Sequence, residues 1–126
     1  GLRSGEIFQN TAADEMQTKI LEEIMAVVKA KGIKAPKKDM ITYVKDLSSS
    51  RYNKPSMLQH IEAGRLTEID SLNGAVVSEA KALNISVPFN QALVNMVKAR
   101  EFAMQQLFKQ PKVDYEKLER LALEGK

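Results

Sequence analysis

The sequence predicts an all-α domain of about six helices, and three observations carry that reading. Apolar residues recur at spacings of three and four through most of the 126 residues, which is the period of one helix face. No segment sustains the period-two alternation of a half-buried strand. The single Asn-Gly pair, Asn73-Gly74, sits inside a helical stripe rather than between strand-like runs. Residues that start and stop helices also fall where the stripes begin and end.

The first helix is predicted from Ala12 to Lys31, with Met16, Ile20, Ile24, Val27 and Val28 in one stripe. Thr11 with Asp14 three residues on reads as a capping pair, and Gly32 as the stop. Pro36 precedes a second helix from near Lys37 to Ser50, with Met40, Ile41, Val44 and Leu47 facing inward. A short third helix spans about Pro55 to Ala63. Pro55 suits the first helical position, where an amide hydrogen would go unused, and Gly64 suits the end. Thr67-Glu68-Ile69-Asp70 is another helix-start signature, and Ile69, Leu72, Val76, Ala80 and Leu83 carry that helix to about Asn84. Within it Gly74 reads as a close helix contact. A loop through Pro88 then leads to Asn90 as the cap of a long helix from Gln91 to Lys109. Its stripe is Leu93, Met96, Val97, Met104 and Leu107, interrupted by Arg100, whose stem lies along apolar surface. Pro111 breaks the chain direction, and Asp114 caps a last helix with Tyr115, Leu118, Leu121 and Ala122 on one face.

Composition then narrows the chemistry. With 44% hydrophobic residues, positions 1–126 can form one domain with its own core. Nineteen basic side chains interleave with sixteen acidic ones for a net charge of +3, with no basic, aromatic-lined stripe, so a nucleic-acid partner is not expected. The absence of cysteine rules out disulfides and thiolate chemistry, and a single histidine cannot build a multi-histidine metal site. Apolar runs stop at five residues, far short of the roughly 20 that cross a bilayer, so no membrane partner is expected. Gly1-Leu2-Arg3-Ser4-Gly5-Glu6 is not a signal peptide. The expected compartment is the cytoplasm, and a start at Gly1 rather than methionine points to a fragment or processed product.

Periodicity alone stops at a helical domain; particular residues go further. The stretch from Asn53 to Gly74 contains Asn53-Lys54-Pro55-Ser56-Met57-Leu58-Gln59-His60 and Arg65-Leu66-Thr67-Glu68-Ile69-Asp70-Ser71-Leu72-Asn73-Gly74. It resembles the ketopantoate reductase (2-dehydropantoate 2-reductase) signature N-x-x-S-M-L-Q-D-x-x-x-x-R-x-T-E-I-D-x-x-N-G. Asn84-Ile85-Ser86-Val87-Pro88-Phe89-Asn90 resembles that family's G-I-x-x-P-x-N loop, and Ser4-Gly5-Glu6 its N-G-E element. The likeness runs over nearly the whole chain. It implies the helical, substrate-side C-terminal domain, a bundle like that of 6-phosphogluconate dehydrogenase-like reductases. An N-terminal Rossmann domain that binds NADPH would lie outside this chain, which carries no G-x-G-x-x-G phosphate loop. The implied reaction reduces ketopantoate to pantoate, for pantothenate and coenzyme A synthesis. The family's proton-donating lysine would precede Gly1, so the fragment alone is expected to be inactive. The implied partners are a small 2-oxo acid and the chain's own Rossmann domain, with homodimerisation left open.

The same resemblance assigns residues. Ser56 matches the serine that holds the substrate carboxylate, and free amides at a helix start would add donors there. The plainer reading is a capping serine. Glu68 matches the glutamate that binds the substrate's C4 hydroxyl beside the catalytic lysine, which makes it both a substrate-binding and a catalytic candidate. Its plainer reading is a first-turn glutamate complementing the helix dipole. Asn53 matches a substrate-proximal asparagine, against a turn asparagine before Lys-Pro. Ser4 departs from the family's asparagine and is left out of the site. His60 stands where relatives often carry aspartate and reads as a surface or supporting polar residue. Arg65 reads as a turn arginine pairing with Glu62 or Glu68, and the six methionines as core. Two rival functions remain: a same-fold reductase for another 2-oxo acid, or a non-enzymatic helical dimerisation or interaction module.

Overall fold

The computed structural model describes residues 1–126 and contains helices and turns but no strand. A 3-10 turn, Ser4–Gln9, leads into α1 (Thr11–Ala30), α2 (Met40–Ser49) and α3 (Ser56–Glu62). A second 3-10 turn, Ile69–Ser71, precedes α4 (Asn73–Ala82), α5 (Pro88–Phe108) and α6 (Tyr115–Glu124). The all-α prediction and the six helices therefore hold. None of these helices is long and apolar enough to cross a membrane.

Several boundaries move, each for a local reason. Asn10, not Thr11, caps α1: its side chain accepts from the Ala13 amide at 2.9 Å. Asp39 caps α2 by accepting from the Thr42 amide at 3.0 Å, so the helix starts at Met40 rather than Lys37. Gly32 and Gly64, at φ +69° and +66°, end α1 and the α3 turn in the left-handed region, as glycine at those stops predicts. Asp114 caps α6 as expected, accepting from the Lys117 amide at 2.9 Å.

The largest departure lies between Thr67 and Asn84, where one helix was expected and two pieces stand. Leu72, at φ −103° and ψ −99°, breaks the run, and α4 starts afresh at Asn73. Gly74 is the close contact foreseen. A Cβ there would sit 3.2 Å from the Ile69 carbonyl oxygen of the preceding turn. Asn90 is likewise not a cap. Pro88 already opens α5, and Asn90 lies one turn in, fully buried.

The packed centre is small. Val27 of α1, Ala80 of α4 and Val87 before α5 form its heart, with Val76, Val77 and Ile85 against it. Only 8 of 126 residues are buried, so many stripe residues, including Leu47, Leu72, Met96, Leu107 and the α6 leucines, remain exposed. Polar ties compensate for part of that. Lys45 of α2 bridges to Asp14 (2.8 Å) and Thr18 (3.0 Å) of α1. At the centre Asn90 donates to the Ile20 carbonyl (3.1 Å) and to Glu23 (2.7 Å), and accepts from Asn73 (2.9 Å). Glu23 also accepts from the Phe89 and Asn90 amides, both at 2.9 Å, so an α1 carboxylate caps the start of α5. The half-loop of the motif, Asn73-Gly74 and Pro88-Phe89-Asn90, is thereby a structural device that locks α1, α4 and α5 together.

Candidate active site

Three local structures aim the candidate residues. The 3-10 turn fixes the approach to α3. The Gly5 amide donates to the Arg51 carbonyl at 2.8 Å, and Arg3 Nη1 to the Tyr52 carbonyl at 2.8 Å. A Cβ at Gly5 would lie 2.6 Å from the Tyr52 ring, so only glycine allows that contact. Pro55, at φ −61° and ψ 147°, then leads directly into Ser56, the first residue of α3. At the other end, Gly64 turns the chain back under the Phe108 ring of α5, which stands 2.5 Å from where a Cβ would be. Finally, Thr67 is pinned to α5 because its amide (2.7 Å) and hydroxyl (2.5 Å) both donate to the buried Glu101. Glu68, the next residue, is carried back toward the start of α3.

The result is a convergence of two of the three candidates. The Ser56 hydroxyl donates to Glu68 Oε1 at 2.9 Å across twelve positions of sequence. His60, one turn along α3 from Ser56, brings its Nδ1 to 3.3 Å from Glu68 Oε2. Both of those atoms are shielded from solvent and make no hydrogen bond within the chain, so they face each other at ion-pair distance only. The Glu68 side chain as a whole is 35% exposed, so the cluster sits at a surface, not in the core. Its carboxyl is held below the ordinary value of 4.5, first by a hydrogen bond from its own backbone amide and next by the Ser56 hydroxyl. Partial burial opposes this, while the charge of His60 adds to it. At neutral pH Glu68 is therefore an ionised acceptor.

Asn53 is not drawn into the cluster. It lies exposed on the bend before α3, and its side chain makes no hydrogen bond within the chain. Arg65 forms no ion pair; Glu62 is taken by Lys54, and Glu68 by His60. The helix-start reading of Ser56 also weakens, because α3 has only seven residues and aligns few peptide dipoles. The side chains, not the helix end, define this site. His60, read from the sequence as a surface or supporting polar residue, lies beside Glu68, and its four-residue offset from Ser56 puts both on one face. No group of three or more acidic or histidine side chains is placed to hold a metal ion.

The family description "Ketopantoate reductase PanE/ApbA C terminal" matches residues 1–101. This chain belongs to the ketopantoate reductase family. A 2-dehydropantoate 2-reductase from Pyrobaculum aerophilum is 34% identical over 98 residues, covering 78% of this chain and 35% of that protein. One from Streptococcus pyogenes is 33% identical over 99 residues, covering 77% and 32%. Among solved structures, a PanE/ApbA family ketopantoate reductase from Ralstonia eutropha superposes with a TM-score of 0.73 at 29% identity, covering 82% of this chain and 35% of that one. D-mandelate dehydrogenase in a ternary structure with NADH and anilino(oxo)acetate gives 0.71 at 26% identity, covering 82% and 35%. The chain thus spans about a third of the length of these relatives, as the family's helical C-terminal domain. With no strand, its residues do not build the strand–turn–helix cradle for a dinucleotide's pyrophosphate.

Proposed function

We propose that this chain is the substrate-side domain of a cytoplasmic, NADPH-dependent 2-dehydropantoate 2-reductase. A Rossmann domain on the remaining part of the protein would supply the nucleotide and the proton-donating lysine, and the reduced product would be pantoate. The observation that carries the reading is the 2.9 Å bond from Ser56 to Glu68, which puts a hydroxyl donor and an ionised acceptor side by side at an open surface.

Ketopantoate offers one group to each. Its C1 carboxylate needs donors, and its C4 hydroxyl needs an acceptor. On binding, the Ser56 hydroxyl rotates from Glu68 to the substrate carboxylate, and Glu68 accepts from the C4 hydroxyl. One internal hydrogen bond is exchanged for two to the ligand. Charge dictates the orientation, because a substrate carboxylate placed against Glu68 would be repelled. Glu68 therefore takes the neutral end, and its negative charge favours the ammonium form of a lysine closing from the other domain. Asn53, free of internal partners at the mouth of α3, is a further donor and acceptor for the same ligand. Of the three, Glu68 would both bind the substrate and tune the acid.

The test uses the full-length protein that carries this chain. Steady-state kinetics on ketopantoate and on a 2-oxo acid lacking the C4 hydroxyl should differ by about tenfold or more in kcat/KM. Equal turnover of the two removes Glu68 as a hydroxyl ligand. A second reading keeps the fold and the hydride chemistry for another 2-oxo acid, and the likeness to D-mandelate dehydrogenase favours it. Preference for an aromatic 2-oxo acid in the same assay would establish that alternative.

A further inference from the structure

We infer that His60 is a positioning residue: its Nδ1 holds Glu68 at Oε2, so that Oε1 stays aimed beside Ser56 when a substrate draws the Ser56 hydroxyl away. The geometry gives the carboxylate two side-chain anchors, one on each oxygen: Ser56 at 2.9 Å and His60 at 3.3 Å. They differ in kind. The Ser56 hydroxyl belongs to an exposed residue and is free to rotate, whereas Nδ1 and Oε2 are closed off from water, make no hydrogen bond, and face each other at ion-pair distance. A shielded carboxylate oxygen without a hydrogen-bond donor bears a desolvation cost that the charge of a facing imidazolium offsets. The nearby charges cannot stand in. Lys54 is engaged with Glu62 on α3, Lys98 with Asp70 between α5 and the second 3-10 turn, and Glu101 of α5 with Thr67. Arg65 donates its backbone amide to the His60 carbonyl at 2.9 Å, and its side chain makes no ion pair. Once Ser56 has turned to the ligand, His60 is therefore the one side chain left against Glu68, beside the bond from Glu68's own backbone amide.

The inference rests on the proposed function for its substrate but not for the pair itself, and two measurements separate them. In the full-length protein, His60→Ala should raise KM for ketopantoate about fivefold or more with kcat changed less than about twofold. His60→Asn, whose side-chain amide offers an N–H where Nδ1 stood, should recover most of that loss. In the same proteins carrying 13C-labelled glutamate carboxyls, His60→Ala should move the Glu68 titration upward, since His60 is one of the causes that lower it. His60→Asn should move it less. An unchanged KM in His60→Ala, or no recovery in His60→Asn, overturns the positioning role. If the unaltered protein does not turn over ketopantoate, the substrate assignment falls and the carboxyl titration decides alone. A Glu68 signal indifferent to His60→Ala then overturns the hold.

Discussion

Two polar clusters in this domain use similar side chains to opposite ends. Around Asn90, fully buried, every hydrogen-bonding atom of the side chain is engaged by Glu23, Asn73 or the Ile20 carbonyl. Around Glu68, about a third exposed, the carboxylate accepts from one mobile hydroxyl and faces one imidazole at 3.3 Å without a hydrogen bond, with the surface open beside it. A saturated network has nothing left to offer a ligand and costs dearly to disturb. An under-committed one contributes little to stability and keeps capacity to bind. Residues of one sequence signature, Glu68 and Asn73, thus divide between an open, partly committed cluster and a closed, saturated one according to burial and satisfaction.

The sharpest way to break that division is Asn90→Ala. It deletes three hydrogen bonds, one of them to a carboxylate, and leaves the Asn73 amide without its partner and the Ile20 carbonyl with only its helical one, in a partly buried place. A loss of about 2–4 kcal/mol in unfolding free energy is expected, read by urea denaturation, with KM per folded molecule unchanged. A loss under about 0.5 kcal/mol would show that water replaces the amide and that the network is not saturated.

Glu68→Ala should do the reverse. In the full-length protein kcat/KM for the 2-oxo acid should fall tenfold or more, while the thermal midpoint moves little. A fall below about twofold with the fold intact would leave the cluster without a catalytic part. Between these extremes lies Gly64→Ala, which touches both regions. The φ of +66° disfavours a side chain, and the new methyl would press on the Phe108 ring. The expected cost is about 1–2 kcal/mol, accompanied by a higher KM, because this turn is what returns Glu68 to Ser56. Destabilisation with an unchanged KM would separate the turn from the site.

How far the sequence reaches follows from the same contrast. Helices α1 and α5 were legible because their stripes are long and their ends punctuated by Gly32, Pro88 and Pro111. The meeting of Ser56 with Glu68 was legible only through the family signature, since nothing local dictates which way Gly64 turns the chain. Three features escaped for tertiary reasons. The 3-10 turn at Ser4–Gln9 exists because Gly5 docks on Tyr52, far along the chain. The break at Leu72 interrupts an unbroken apolar stripe, because Asn73 must reach Asn90 from a new helix. Asn90 looked like a cap because asparagine at a helix start usually is one; its capping partner is instead Glu23, sixty-seven positions away.

The smallest expected effect distinguishes the clusters by titration. Glu68 has a folded carboxyl value below its ordinary 4.5, chiefly through its own backbone amide and then Ser56. A depressed carboxyl contributes stability that is fully present above the unfolded value and is lost as pH falls through the folded one. The urea midpoint of the unaltered domain should therefore exceed that of Glu68→Gln at pH 7, and the gap should close as the solution is taken below 4.5. Asp39, lowered from 3.8 by the Thr42 amide and hydroxyl, loses its α2 cap contribution in acid too. Because it is present in both proteins, it cancels from the comparison. Part of the gap between the unaltered domain and Asn90→Ala should survive the same acidification, since the bonds to Asn73 and the Ile20 carbonyl involve no titrating group. If instead the Glu68→Gln gap persists in acid, that carboxylate is held by packing, and the line between an open, electrostatic cluster and a closed, hydrogen-bonded one fails at Glu68.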